Sequence, residues 1–478
     1  MQLKIYLISI LFSLFALSLA AQQWVQIGDF NRSPRSLYTD TVDNLLYIGG
    51  EFRWSGIDTV NGICTWNGNS IQNLGPFPAQ ECGDYSCDPI ITMVRYKNEI
   101  YVGPGQKKFA GIHTNGIARW NGSTWSAVGS GLEAIIIDGS NEAQAYGLYV
   151  HDDKLYVVGA FRSVHGDTCN SVAYWDGANW YGMNFPVDFT NDVPLNFKII
   201  YYKNEFYVGG NCYDNLGGGI NNDIARFDGV QWKQVGGGLK GGLSDITDMV
   251  VYKNELYVCG YFRKIDGNVG NKIMRWDGVQ WKDVGGGICE SYAIATGMMV
   301  YEDKLYVVGI FDCVGYGLPA RDIAVWDGDH WCSFGNSFID NKISCIGSYN
   351  GDIYIGGGFT TIDSFPVKFF AKWVGSHSTD TCAAPVSVAL EPQTARQLLI
   401  SPDPAFDYVT LAANGSFATP LSVKVYDASG NEVTNAVQVT SNTGAGQLTI
   451  QIGRLPAGFY YIHAMASGFT YSGKFVKM

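Results

Sequence analysis

The side chains of this 478-residue chain best placed to do chemistry are carboxylates in its long irregular segments. Glu81, Asp84 and Tyr85 fall in 76–89, and Asp138 and Glu142 in 130–145. Asp188 and Asp192 fall in 184–196, and Asp214 follows Tyr213 in 212–222. Two carboxyl groups about 5–10 Å apart form the acid and base of glycoside hydrolysis. The same groups beside a tyrosine can instead hold a sugar or a protein surface. His113 and His165 occupy equivalent loops, and two imidazoles could share a metal, but no third ligand follows by spacing. There is no Gly-x-Ser-x-Gly elbow, no His-Glu-x-x-His pair and no phosphate loop. We therefore assign no catalytic residue and no metal site, and expect no cofactor. Glu81, Asp84, Tyr85, Asp138, Glu142, Asp188, Asp192 and Asp214 stand as the candidate ligand-binding set.

Those loops need a scaffold, and a repeat supplies it. A Trp-Asp/Asn-Gly step recurs at Trp66, Trp120, Trp175, Phe227, Trp276 and Trp326, with a degenerate seventh at Trp373-Val374-Gly375. The spacing of about 50 residues is that of four-stranded propeller units. Each unit reads as an apolar strand, a short turn, a strand such as Leu256-Tyr257-Val258, a third such as Ile273-Met274-Arg275-Trp276, and a fourth opened by tryptophan. Asp-Gly and Asn-Gly suit tight hairpins because both residues tolerate positive φ. Tyr47, Tyr101, Tyr156, Tyr207, Tyr257, Tyr306 and Tyr354 recur at one position, which reads as packing between units. So do Trp24, Trp125, Trp180, Trp232, Trp281 and Trp331. The seventh unit lacks its closing strand, and Trp24–Gly28 at the other end supplies the missing Trp-x-x-x-Gly. The array therefore closes into a ring. Turns within each unit are short on one face, and the long variable connections emerge on the other, where recognition usually resides.

These units resemble the kelch and galactose-oxidase central-domain class of propellers. They depart from standard kelch repeats, since the tyrosine after the glycine pair is missing and a phenylalanine follows instead (Phe52, Phe161, Phe262, Phe311, Phe359). They are closer to the Gly-Gly-x-Phe…Trp-Asp-Gly…Trp units of large bacterial surface proteins and fungal polarity markers. No His and Tyr set matches the copper ligands of galactose oxidase. The implied fold is all-β: a seven-bladed propeller over 22–375, a linker over 376–396, and a small immunoglobulin-like β-sandwich over 397–478.

The tail resembles the type A C-terminal sorting domain of the Bacteroidetes type IX secretion system. The resemblance rests on Ser401-Pro402-Asp403-Pro404-Ala405, Val425-Tyr426-Asp427-Ala428-Ser429-Gly430, Leu455-Pro456-Ala457-Gly458-Phe459-Tyr460 and Lys474-Phe475-Val476-Lys477. Asp403 replaces the asparagine usual in the first motif. It implies delivery through the periplasm and reading of the tail by the type IX machinery, with the cargo then released or linked to surface lipopolysaccharide. Residues 1–21 fit that route. Lys4, the apolar run Ile5–Leu19 and the small residues Ala20 and Ala21 read as a cleaved signal peptide, and no later segment is apolar enough to span a bilayer.

Composition agrees with an exported β protein. Glycine is abundant at 59 residues and only 16% of residues are charged, which suits short strands and tight turns over disorder. The net charge of −12 disfavours nucleic acid and anionic membrane as partners. Eleven cysteines leave at least one unpaired within the chain. Cys82 and Cys87 are the best disulfide candidates, and Cys259 reads as a buried apolar residue. The sequence favours a secreted or surface-attached binding protein for glycan or protein through the long-loop face. The alternatives are an extracellular glycan-active hydrolase or lyase, or a scaffold within a surface assembly.

Overall fold

The computed structural model describes residues 23–375 and 396–478, apart from 57, 76, 78–88, 106, 135–142, 187–194, 212–222, 242–244, 290–292, 336, 398, 403, 413–420, 428–431, 443–446 and 467–468. The signal-peptide residues, the Cys82–Cys87 pair and most of the linker lie outside that set. The chain divides into two compact units, Met1–Ala384 and Pro385–Met478. It is all-β, with two short 3-10 turns as the helical elements among the described residues.

In the first unit, seven four-stranded antiparallel sheets follow one another among the described residues. The fifth shows the pattern, running Asp245–Tyr252, Glu255–Tyr261, Ile273–Trp276 and Trp281–Asp283. The seventh takes Ile343–Tyr349, Asp352–Gly357 and Phe370–Trp373 from one end of the chain and Trp24–Gln26 from the other. Trp24 pairs with Trp373 and Gln26 with Ala371.

Two kinds of turn make these sheets. Between first and second strands, residue pairs such as Lys97-Asn98, Lys203-Asn204, Lys253-Asn254 and Glu302-Asp303 all take positive φ. Such two-residue turns match the right-handed twist of the strands they join. Between third and fourth strands only the glycine is left-handed, as at Gly278 with φ 99°. The preceding Asp or Asn acts differently from the sequence expectation. Its side-chain oxygen accepts the backbone N–H groups two and three residues on, as Asp277 does from Val279 and Gln280 at 2.7 and 2.8 Å. Asn67, Asn121, Asp176, Asp228 and Asp327 do the same. An acceptor that can bridge its own turn explains why only Asp and Asn occur there.

A left-handed residue precedes the third strand in all seven sheets, Gly62, Ser171, Asp223, Lys272, Asp322 and Phe369 directly and Gly116 by two positions. In five of them its N–H bonds the carbonyl of the recurring phenylalanine, Phe52, Phe161, Phe262, Phe311 or Phe359. Its own carbonyl accepts a glycine N–H from the end of the second strand, as Asp322 does from Gly309 at 3.0 Å. The phenylalanine is buried, so this clamp fixes the connection to the core.

Neighbouring sheets are joined by recurring polar contacts across apolar faces. Tyr96, Tyr202, Tyr252 and Tyr301 on first strands donate to turn carbonyls of the next sheet, at Asp153, Asn254, Asp303 and Gly351. Tyr349 of the seventh sheet donates to Asn44 of the first at 2.9 Å. Trp125, Trp180, Trp232, Trp281 and Trp331 each donate an indole N–H to a carbonyl of the preceding sheet. Trp326 donates to the Tyr257 hydroxyl, and Trp66 of the first sheet donates to Tyr354 of the seventh, both at 3.2 Å. The junction of last and first sheets thus repeats the chemistry of the internal ones.

The second unit forms two four-stranded sheets around one apolar core. One contains Tyr408–Ala412, Gln438–Asn442 and Gln447–Gln451, the other Leu421–Asp427, Gly458–Ala466 and Phe469–Lys477. Val409, Leu411 and Ile450 from the first face Val425, Ile462 and Phe475 from the second within that core.

Two measurements check this account. Trp24 is fully buried, edge-on to Trp373 with centroids 5.0 Å apart. Trp24→Ala leaves an aromatic void and is expected to destabilise the first unit by about 3–5 kcal/mol in urea denaturation. An unchanged midpoint would rule out closure through this residue. Asp322 is nearly buried, and burial together with Asp312 pushes its pKa up to about 7. A carboxyl raised above its unfolded value of about 3.9 stabilises below that value and loses the contribution as pH rises through its folded pKa. Asp322→Asn keeps an acceptor for the Phe311 N–H and should remove a decline of roughly 2–4 kcal/mol in stability between pH 4 and 8. Equal slopes in parent and variant would show that Asp322 does not titrate in this window.

Candidate functional site

The candidate loop residues Glu81, Asp84, Tyr85, Asp138, Glu142, Asp188, Asp192 and Asp214 all lie outside the described residues. His113 and His165 are described, exposed, and sit in two separate small hairpins. No group of three metal-ligating side chains occurs among the described residues. The connections between second and third strands are more ordered than their irregular sequences suggest. In the first, second, third, sixth and seventh sheets they fold into two-stranded hairpins, such as Trp54–Ser55 with Asp58–Thr59 and Thr361–Ile362 with Phe365–Pro366. The structure also pairs Cys289 with Cys313, which cysteine counting did not single out. Cys259 is fully buried.

The first strands of all seven sheets surround a cavity of about 530 Å³. Lys198 meets Asp248 there at 3.2 Å, and Asp248 also accepts the backbone N–H of Met298 at 2.7 Å. A β-bulge recurs near the start of these strands, with Arg35, Tyr146, Phe197, Thr247, Thr296 and Ser344 as the extra residues. Bulges re-aim a side chain out of the ladder. Thr247 uses this to donate to the Ala295 carbonyl of the next sheet, and Thr296 to that of Ile343, both at 2.6 Å.

Ser344 holds the same bulge in the seventh sheet but does not make the equivalent bond. The matching carbonyl of the first sheet belongs to Pro34, and it accepts the Ser33 hydroxyl at 3.0 Å. Ser344 Oγ is left buried and without a hydrogen-bond partner. Beside it opens a second cavity of about 600 Å³ between the first and seventh sheets. Arg35, Lys342 and Ser344 line both cavities, so the two meet there. The wall also carries Arg32, Glu51 and Trp54. Arg35 Nε donates to Glu51 at 2.8 Å. Arg32 and Lys342 have no acidic partner among the described residues. Burial and the Arg35 guanidinium hold the Lys342 ammonium below the usual lysine range, with Glu51 opposing.

A third cavity, of about 320 Å³, also touches Lys342 and carries Asp312, Asp322 and Asp340. Burial makes Asp322 a weak acid, while Thr360 hydrogen bonds hold Asp340 below the ordinary carboxyl range against the opposing effect of burial. Asp322 already spends one oxygen on the Phe311 N–H at 3.0 Å.

Sequence reasoning passed over Arg35, Trp54, Lys342 and Ser344. The signal was present as departures from the repeat. Trp54 opens its hairpin where the equivalents are Lys108, Ser163, Cys313 and Thr361. Arg35 is the charged member of a set of bulge residues that includes Thr247, Thr296 and Ser344.

In the tail, each motif sends a residue into one core, Ala405, Val425, Leu455 with Tyr460, and Phe475, while Pro402, Pro404, Pro456 and Lys474 are exposed. Ala405 is buried, its N–H bonds Val476 and its carbonyl accepts Met478. Pro402 and Pro404 flank that segment. Asp427 pairs in register with Tyr460, and Tyr461 with Lys474. Leu455 and Tyr460 are buried, the Tyr460 hydroxyl bonds the Pro456 carbonyl at 2.9 Å, and Gly458 opens the strand that carries Tyr460. Gly430 lies outside the described residues.

No curated protein matches the sequence. An alpha-L-arabinofuranosidase from Clostridium thermocellum is 13% identical, covering 61% of this chain and 95% of its own, with a TM-score of 0.28. Drosophila Semaphorin 2a is 10% identical, covering 95% and 97%, with a TM-score of 0.29. A bifunctional GH43-CE protein of Bacteroides eggerthii is 10% identical, covering 94% and 58%, with a TM-score of 0.27. No helix among the described residues is long and apolar enough to cross a membrane. Residues 399–478 match the family model of the secretion system C-terminal sorting domain, and this tail marks the protein for type IX export to the cell surface or beyond it.

Proposed function

We propose that the first unit is a seven-bladed kelch-like propeller over 22–375, closed by its N-terminal strand, and that it binds a glycan or protein at its long-connection face. The second unit is an immunoglobulin-like sandwich that the type IX machinery reads during export. The reading as a propeller rests on seven successive sheets whose first strands line one cavity, and on the matching contacts from Tyr349 to Asn44 and from Trp66 to Tyr354. The observation that carries binding is the 600 Å³ cavity, lined at the ends of the sheets where the long connections leave. It carries three cations against one carboxylate, is partly unpaired, and is built from residues that the repeat does not require.

Hydrolysis is the second reading, and the Asp312, Asp322 and Asp340 cavity favours it. One carboxyl there titrates near neutrality and another is held below the ordinary carboxyl range, as an acid and base pair needs. Against it, Asp322 occupies the left-handed position common to all seven sheets, so the fold already accounts for its burial.

The full chain screened on a glycan array and in a hydrolysis panel should bind without turnover. Turnover abolished by Asp322→Asn and Asp340→Asn would replace binding with catalysis. Removing 399–478 should leave the protein in the periplasm, and surface export of that truncation would refute the role given to the tail.

A further inference from the structure

We infer that the cavity between the first and seventh sheets takes the carboxylate of an acidic sugar, with Lys342 and Ser344 on the carboxylate and Trp54 against the pyranose ring. The inference rests on the proposed binding role of this face and names its ligand class.

Charge comes first. The whole chain carries −12, yet this wall presents Arg32, Arg35 and Lys342 against Glu51 alone. Glu51 is held by Arg35, so two cations remain uncompensated. A half-buried ammonium beside a guanidinium is unfavourable until an anion arrives, and a bound carboxylate would relieve both burial and repulsion. Ser344 is the second observation. Its hydroxyl sits in a bulge where two counterparts, Thr247 and Thr296, bond the neighbouring sheet, yet it is buried with no partner. An unsatisfied buried donor is costly, and a ligand oxygen would complete it. The third is Trp54, a half-buried indole in the wall at a hairpin position where other sheets carry small or charged residues. Its flat apolar face suits a sugar ring, while Glu51 and the exposed Asn341 offer hydrogen bonds for hydroxyl groups. About 600 Å³ accommodates one or two sugar units.

The probe is trigalacturonate, titrated calorimetrically into the full chain at low salt, with galactotriose as the neutral control. Trigalacturonate should bind and galactotriose should not. Lys342→Ala and Trp54→Ala should each weaken binding about tenfold or more, the former with reduced salt dependence. Ser344→Ala should weaken binding several-fold without lowering the melting temperature, since the free protein gains nothing from that hydroxyl. A purely structural serine would show the reverse. Absence of trigalacturonate binding, or equal binding by parent and Lys342→Ala, overturns the inference. So does pentaglutamate binding as tightly and with the same sensitivity, which would make the site a reader of acidic peptides. A neutral glycan from the array that binds regardless of Lys342→Ala would overturn the acidic pocket while leaving the binding role of the face intact.

Discussion

The first unit depends on how one twisted four-stranded sheet meets the next. Each presents aromatic rings to its neighbour, and tyrosine and tryptophan bring a polar atom into that apolar contact. A buried hydroxyl or indole N–H must find an acceptor, and an unmet one costs about 1–3 kcal/mol. The acceptor, where one is met, is a backbone carbonyl or tyrosine oxygen on the adjoining sheet, as with Tyr252 on Asp303 and Trp331 on Val284, while the indole N–H groups of Trp24, Trp175 and Trp276 go without one. Burial alone would let two sheets slide. These bonds set their register, and because the same atoms recur, one register error would orphan several groups at once.

That constraint accounts for what was legible in the sequence. The Trp-Asp-Gly steps and the tyrosine positions could be read because each answers a local demand: an Asx acceptor at a turn, a left-handed glycine, a ring with a polar tip. The all-β class and the tail's address follow from such patterns. The physical reason for Asp at the turn was misread, since Asp277 bridges two N–H groups and leaves positive φ to Gly278. The left-handed position before each third strand went unseen, because Lys272, Asp322 and Phe369 do not announce positive φ as glycine does. Two tail strands, Gln438–Asn442 and Arg396–Gln397, carry too little apolar alternation to stand out.

The site was harder to read for a different reason. Loop carboxylates attract attention by type, whereas Arg35, Trp54, Lys342 and Ser344 lie up to three hundred residues apart and are ordinary one at a time. Their significance exists only relative to the repeat. Thr247 and Thr296 show what a bulge residue does when it serves the fold, and Ser344 is informative because it does not. A repeat provides its own internal control, since each position has up to six counterparts that report the structural requirement.

The seam between first and seventh sheets is where such departures are cheapest. Here Pro34–Asp40 of the first sheet meets Ile343–Tyr349 of the seventh, strands from opposite ends of the chain. The outer part of the seam is held by the same contacts as the internal junctions, Tyr349 on Asn44 and Trp66 on Tyr354. Near the bulges, Pro34 cannot donate a backbone N–H and its carbonyl is satisfied by Ser33. The hydroxyl bonds that Thr247 and Thr296 make to the next sheet therefore have no continuation at Ser344. That unmade hydrogen bond leaves a buried donor, a half-buried cation and open volume at the same place, and a ligand is the simplest agent that satisfies all three.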